Sequence, residues 1–346
     1  MKFKMNSYQK SYLEFLNKFL FPNKMVKVVF DCSNGTTGGL LKNLKREKLS
    51  TIFINEKPEG DFPAHGPNPL KSGALRDAQL TVKKQKADLG IVFDADGDRA
   101  IFIDDKGRMA DPDAIGYLLI WNLKTKKIVV DETTSMLIRG KIDKASGAEF
   151  YETIKSENGG YAIKNAMSKN KADFACERSG HYYFARRASN KGKLFYFDSG
   201  ILAAIEVINA VSKLPYKLSD FLDLLPNYYR SGDINIKSQK LKSESQKLFK
   251  RIENKYKKNA GEISYVDGLR MDFYGGNRKK RGGKGDFTTR NGIGKESVGN
   301  KSGEGRWWFN IQPSNTEPLL RLNIEAENKQ TLEKERKKLI MLVTAN

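Results

Sequence analysis

Histidine occurs only twice in 346 residues, as His65 and His181, and cysteine only twice, as Cys32 and Cys176. That scarcity excludes a His-rich zinc centre and a ribbon built on paired CxxC motifs. Both cysteines sit in apolar contexts, so they read as reduced, buried thiols of a cytoplasmic protein. No run of 18 apolar residues occurs, which leaves no candidate membrane span. The N-terminal stretch MKFKMNSYQKSYLEFLNKFLF has no continuous apolar segment and no small-residue cleavage site, so no signal peptide is expected. Acidic residues are in deficit: 41 Asp and Glu against 62 Lys and Arg give a net charge of +21. Such an excess fits nucleic acid, anionic small substrates or a lysine-rich proteome alike.

What is present is organised. Apolar residues make up 39%, enough for real cores, and the length sets an expectation of two or three domains. Tyr12, Phe15, Leu16 and Phe19 fall at helical spacing over 8–21. From 25 onward, an apolar strand, a Gly-rich turn and a helix start (MVKVVFDCSNGTTGGLL) precede a second strand (STIFINEKP). An amphipathic helix (LRDAQLTVKKQKADLG) and a hairpin-like pair (IVFDADGDRAIFIDDKGR) complete an α/β unit over 24–125. A similar unit over 126–225 runs from KKIVVDETTSML through strand AEFYETI, a helix near 160–168, ADFACERSGHYYF and the buried helix DSGILAAIEVINAVS. The two suggest a duplicated architecture, although no exact repeat is visible. The remainder, 226–346, reads as a smaller α+β unit, and residues 1–23 as a leading linker helix. Inside the α+β unit, residues 277–305 carry eight Lys and Arg, three Asp and Glu and a single aromatic, Phe287. This basic insert is expected to be a disordered, solvated loop, with nucleic-acid contact the alternative.

Four stretches invite chemistry. In DADGDR, alternate residues of an extended chain point the same way, so Asp94, Asp96 and Asp98 can converge on one hard cation. Carboxylates suit Mg²⁺, and Arg99 beside them suits a phosphate oxygen. The alternatives are a calcium loop or a solvated acidic turn, but the twelfth position counted from Asp94 is Asp105, where a calcium hand needs glutamate. In CERSGHYYF, Glu177, Ser179 and His181 share one side of an extended loop and can bind sugar hydroxyls, or form a turn with an incidental histidine. In QPSNTEPLLR, Ser314, Asn315 and Thr316 form an anion-binding nest or an ordinary turn. DFPAHGPNPL, with three prolines in eight residues, is a rigid loop in which His65 serves either the site or the shape.

Together, VVFDCSNGTTGG, FPAHGPNPL, DADGDR, ERSGHYYF, FDSGILAA, VDGLRMDF and FNIQPSNTEPLLRLNIEA make the chain resemble the α-D-phosphohexomutase family, most of all its bacterial phosphomannomutase/phosphoglucomutase type. The resemblance implies two related α/β mixed-sheet domains followed by a smaller α+β domain, TATA-binding-protein-like in the family. It implies one Mg²⁺ on Asp94, Asp96 and Asp98, with Arg99 beside it. Sugar-hydroxyl contacts fall to Glu177, Ser179 and His181, and a phosphate clamp to Ser314, Asn315 and Thr316. The implied reaction interconverts the 1- and 6-phosphates of mannose or glucose through a phosphoserine and a bisphosphate intermediate.

Several departures accompany the resemblance. The family's Thr-Ala-Ser-His type loop, which carries the nucleophile in its first domain, has no counterpart in these 346 residues. A gene fragment, half of a split enzyme with a separate first-domain polypeptide, or a misassigned start would each account for that, and the chain alone is expected to be inactive. Gln312 stands where the clamp usually has arginine, Gly160 where a histidine is common, and Thr133 where a basic residue is usual. These losses define the competing expectation, a non-catalytic homologue that binds polyanions or nucleic acid.

Overall fold

A computed structural model describes residues 5–45, 47–139, 151–187, 192–237, 242–274, 305–314 and 317–344. The basic insert over 277–305 lies outside the described residues except for Gly305, as do Asn315 and Thr316.

The first sheet has the order β2-β1-β3-β4: β1 (Val26–Asp31), β2 (Leu49–Ile54), β3 (Leu89–Phe93) and β4 (Ala100–Asp104). Strands β2 and β3 flank β1 in parallel, and β4 turns back antiparallel on β3. The second sheet repeats the plan as β6-β5-β7-β8-β9: β5 (Lys127–Val130), β6 (Glu152–Lys155), β7 (Phe174–Cys176), β8 (Tyr182–Arg187) and β9 (Leu194–Asp198). Again β5 is flanked in parallel by β6 and β7, and β8 turns back on β7. The chain is thus a structural duplication with one extra edge strand, β9.

Helices α1 (Ser7–Asn17), α2 (Thr37–Leu41), α3 (Arg76–Gln85), α4 (Pro112–Leu123), α5 (Met136–Arg139), α6 (Gly160–Asn170), α7 (Gly200–Lys213) and α8 (Leu218–Leu224) cover the two sheets. Local signals place the longer ones. Asn6 and Gln9 close a capping box on α1. Asp111 caps α4 ahead of Pro112, and Ser199 caps α7 through the Leu202 N–H at 3.1 Å. Helix α3 packs on the outer face of the first sheet through Ala78 and Val82, and α6 on that of the second through Ile163 and Met167. The inner faces share one core. Phe30, Ile91 and Phe102 from the first sheet and Val130, Phe174 and Phe184 from the second belong to it, with Leu118 of α4 and Leu202 and Ile205 of α7 among them. Helix α7 follows the second sheet in the chain yet packs on β1, β3 and β4 of the first. Helix α1 docks on the same layer: Tyr12 bonds Ser199, and Asn209 bonds the backbone of both Phe19 and Phe21.

The third unit is a six-stranded antiparallel sheet with its own core. It contains β10 (Tyr229–Arg230), β11 (Ile234–Lys237), β12 (Glu262–Ser264), β13 (Leu269–Phe273), β14 (Trp307–Pro313) and β15 (Leu319–Ala326). Helices α9 (Lys242–Tyr256) and α10 (Lys329–Thr344) cover the face that carries Phe309, Ile311 and Leu322. The opposite face is polar and meets the second α/β unit. Arg270 donates to the carbonyls of Glu132 and Thr134, Ser264 donates to Glu132, and Glu325 accepts from Ser135 Oγ and the Met136 N–H. Arg230 spans farther, pairing with Glu325, Asp111 and Asp113. Glu325, Arg270 and Glu132 are fully buried, and each meets opposite charge or hydrogen-bond donors, as buried charge requires. Among the described residues no helix is long and apolar enough to cross a membrane.

Candidate active-site cleft

The duplication puts the two chemistry-bearing loops in equivalent places. Asp94–Arg99 joins β3 to β4, and Glu177–His181 joins β7 to β8. The loops touch: Arg99 and His181 form an antiparallel backbone bridge, and Ala100 N donates to Gly180 O at 3.0 Å. A third loop packs against them. The turn after β1 enters the left-handed region at Ser33 and Asn34, then brings Gly35 against the aspartate loop. A Cβ on Gly35 would stand 2.2 Å from Ala95 O, so only glycine allows that approach.

Carboxylate oxygens of Asp94, Asp96 and Asp98 lie within 4.8 Å of one another. Asp94 is buried and well supplied with donors. Its Oδ1 accepts from the N–H groups of Gly97 and Arg99, and its Oδ2 from Arg99 Nε at 2.6 Å. Burial pushes the Asp94 carboxyl up, but the adjoining Asp98 carboxyl and the Arg99 donors outweigh it and hold it below the ordinary range. Asp98 shows the reverse. Burial, and then the carboxylates of Asp94, Asp96 and Asp198, push it up to about 7. Its Oδ1 is buried with no donor against it among the described residues. Three converging carboxylates, one of them with an orphaned oxygen, fit a hard divalent cation, and Asp94, Asp96 and Asp98 would hold it. Arg99 is committed to Asp94 and reaches Asn68 Oδ1 at 3.4 Å, which ties the Pro-rich loop to the metal loop. His65 anchors that loop from below through Asp31 Oδ2 at 3.2 Å.

On the second loop, Glu177 is buried and accepts from Tyr183 Oη and from the Gly159 N–H. Burial raises its carboxyl above the ordinary value, against the opposing effect of the Tyr183 bond. Ser179 Oγ lies 2.8 Å from His181 Nδ1, and His181 Nε2 lies 3.6 Å from Asp98 Oδ2. Burial, and next the charge of Arg99, push the His181 imidazolium down, which favours the neutral ring. The structure therefore gathers Asp94, Asp96, Asp98, Arg99, Glu177, Ser179 and His181 at one end of the two sheets.

Gln312 and Ser314 stand apart, at the end of β14. Their link to the cleft runs through the loop before β13. Asn310 Nδ2 donates to Asp267 O, and Asn158 N donates to Asp267 Oδ2, next to the Gly159 that supports Glu177. Gln312 Oε1 is buried with no hydrogen-bond partner among the described residues. Ser314 Oγ accepts from the Glu317 N–H, a turn closed on itself. At the departures, a Cβ on Gly160 would stand 3.4 Å from Tyr183 Oη, and Thr133 spends both its N–H and its hydroxyl on Asp131 Oδ1. Sequence reading did not single out Asp198, which ends β9 and joins Asp98 and His181 in a second close group. Its signal was available: an aspartate at a strand end, one residue before a helix-capping serine.

Comparison with known proteins agrees with this layout. Profiles of the phosphoglucomutase/phosphomannomutase family match the chain as alpha/beta/alpha domain II over residues 7–107, alpha/beta/alpha domain III over 111–228 and the C-terminal domain over 234–341. A phosphomannomutase of Methanocaldococcus jannaschii is 32% identical over 313 residues, covering 88% of this chain and 59% of that protein. A phosphomannomutase/phosphoglucomutase of Pseudomonas syringae pv. tomato is 28% identical over 316 residues, covering 90% of this chain and again 59% of the relative. The chain thus spans less than two thirds of the length of these relatives. Among solved structures, a phosphoglucomutase/phosphomannomutase family protein from Burkholderia thailandensis superposes with a TM-score of 0.72 at 20% identity, over 99% of this chain and 66% of the other. An Aspergillus fumigatus N-acetylphosphoglucosamine mutase gives 0.59 at 15%, over 97% and 65%. At such identities these structures speak to the fold.

Proposed function

The chain belongs to the phosphoglucomutase/phosphomannomutase family, and on that premise we propose that it forms the metal- and sugar-binding part of a hexose-phosphate mutase. The observation that carries this reading is the bridge between Arg99 and His181, which sets a carboxylate cation seat beside hydroxyl-binding side chains. The substrate is a mannose or glucose monophosphate. Glu177 accepts from a sugar hydroxyl while Tyr183 and Gly159 hold its carboxylate in place. Neutral His181, braced by Ser179, exchanges a proton with the hydroxyl that takes up or releases phosphate. Arg99 steadies Asp94 and turns its remaining N–H groups to a phosphate oxygen. The distal phosphate is received by the turn at Ser314, Asn315 and Thr316, with Gln312 giving a weaker grip than an arginine fork. Bound at Asp94, Asp96 and Asp98, Mg²⁺ supplies charge compensation for a phosphoryl group in transfer.

The phosphoryl carrier, a phosphoserine, is contributed from outside these 346 residues, by more of the same polypeptide or by a partner. Transfer breaks its P–O bond and forms one to the sugar hydroxyl; the return step reverses this at the other end of the sugar. Calorimetric titration of the chain with mannose 1-phosphate and glucose 1-phosphate in Mg²⁺ tests the binding half. Saturable binding that Glu177→Ala weakens at least tenfold is expected. Absence of binding to either sugar phosphate overturns the proposal.

A further inference from the structure

A second group of cation-ligating side chains stands beside the aspartate loop and shares one residue with it. A carboxylate oxygen of Asp98, one of Asp198 and a ring nitrogen of His181 all lie within 4.8 Å of one another. Three separate elements deliver them: the β3–β4 turn, the end of β9 and the β7–β8 turn. The two oxygens of Asp98 face different neighbours. Oδ1 lies 4.0 Å from Arg99 Nε, on the side of the aspartate loop, and Oδ2 lies 3.6 Å from His181 Nε2. The second distance is too long for a hydrogen bond. It matches two ligands of one ion, since bonds of about 2.1 Å at tetrahedral to trigonal angles separate donor atoms by about 3.4–3.6 Å.

The ring is set for this role. His181 Nδ1 faces Ser179 Oγ at 2.8 Å and Glu177 Oε2 at 3.5 Å, both able to accept a proton from it. With the proton on Nδ1, the lone pair of Nε2 points at Asp98, and Ser179 and Glu177 act as the outer layer that orients the ligand. Lys164 Nζ holds Asp198 Oδ1 at 3.0 Å, fixing that carboxylate while adding a charge that the site must outbid. Among the described residues Asp98 Oδ1 meets no donor, so bonding through Oδ2 leaves it available to the neighbouring seat.

We propose that Asp98, His181 and Asp198 form a second divalent-cation position, suited to an ion that accepts imidazole, such as Zn²⁺ or Mn²⁺, with Asp98 bridging to the carboxylate seat. An imidazole and two carboxylates select such ions, whereas Mg²⁺ prefers oxygen alone. The proposal goes beyond the functional reading and competes with one step of it, since a cation held here takes His181 out of proton exchange. Zn²⁺ in this position occupies the nitrogen that would otherwise serve the sugar.

The chain has only two histidines, so a direct readout exists. His65 turns Nε2 to Asp31 and buries Nδ1, which makes it an internal reference. Zinc chloride is titrated into the full chain and followed by ¹H–¹⁵N spectra of the imidazoles. The expected result is a saturable shift of His181 Nε2 at one equivalent, weakened roughly tenfold or more by Asp198→Asn. Asp96→Asn removes a ligand from the carboxylate seat alone, so it weakens Mg²⁺ binding and leaves the zinc response in place. If His181 stays unmoved by millimolar zinc, or responds identically in Asp198→Asn, the second position does not exist. Failure of Mg²⁺ to bind the unaltered chain would instead overturn the carboxylate seat, independently of His181.

Discussion

Arg99 and His181, 82 positions apart in the chain, face each other across an antiparallel bridge. Two loops that lie at the same point of a duplicated sheet are thereby joined as one strip of backbone. Gly180 makes the contact possible: its φ is +89°, and a Cβ there would stand 2.8 Å from Ile101 Cδ1. Gly180→Ala is expected to cost about 1–3 kcal/mol in urea unfolding. Mg²⁺ and sugar-phosphate affinities should fall together, because one strip serves both.

The three carboxylates of the metal loop repel one another when no cation is bound. Asp98→Asn should therefore raise the thermal midpoint in EDTA and abolish the further rise expected on adding Mg²⁺ to the unaltered protein. Scanning calorimetry with and without Mg²⁺ reads both effects. A midpoint that falls in EDTA would mean that repulsion at Asp98 is minor.

Glu325 accepts from Trp308 Nε1, Ser135 Oγ and the Met136 N–H, and pairs with Arg230. Removing this fully buried carboxylate leaves three donors without their acceptor and takes one of its three carboxylate partners from Arg230. Glu325→Ala should cost about 3–5 kcal/mol. Chemical denaturation followed by tryptophan fluorescence measures it, since Trp308 is one of the stranded partners.

The Asp31 bond raises the imidazolium pKa of His65 above its ordinary value, despite the opposing effect of burial. The stabilisation is therefore complete below the ordinary histidine value and is lost as pH rises through the raised one. Denaturation midpoints should fall as pH rises from the ordinary histidine range through the raised value in the unaltered chain, and His65→Gln should flatten that slope. An unchanged slope would show that the pair contributes no pH dependence.

Much of the site was legible because its information is local. Asp94, Asp96 and Asp98 alternate between apolar runs, and a two-residue period needs no tertiary knowledge. Glu177, Ser179 and His181 share the same property. The duplication left a fainter trace. Lys86-Ala87-Asp88 and Lys171-Ala172-Asp173 are identical, and both lysines take the left-handed conformation that ends α3 and α6. Both aspartates then accept from backbone N–H groups at the start of the central strand, Lys27 in the first sheet and Lys126 and Lys127 in the second. Three residues are too few to declare a repeat without the sheets. The roles of Asp198 and Glu325 were harder to read, because Asp98 stands 100 positions from the first, and Ser135 and Met136 about 190 from the second. Glu325 alternates along β15 like an ordinary solvent-facing residue, and only the docking of the third unit buries it. Gln312 could be read from the sequence as a departure from the family; that its amide oxygen has no hydrogen-bond partner among the described residues could not.

Helix α7 leaves the second sheet and completes the first, so neither sheet has a finished inner face without the other. The consequence concerns how the molecule comes apart. Two units that look separable in the chain must melt in one step, since opening either exposes the shared layer to water. The C-terminal unit keeps a core of its own and can open ahead of that step. Partial unfolding would then detach the turn that carries Ser314 while the loops at Asp94–Arg99 and Glu177–His181 remain joined.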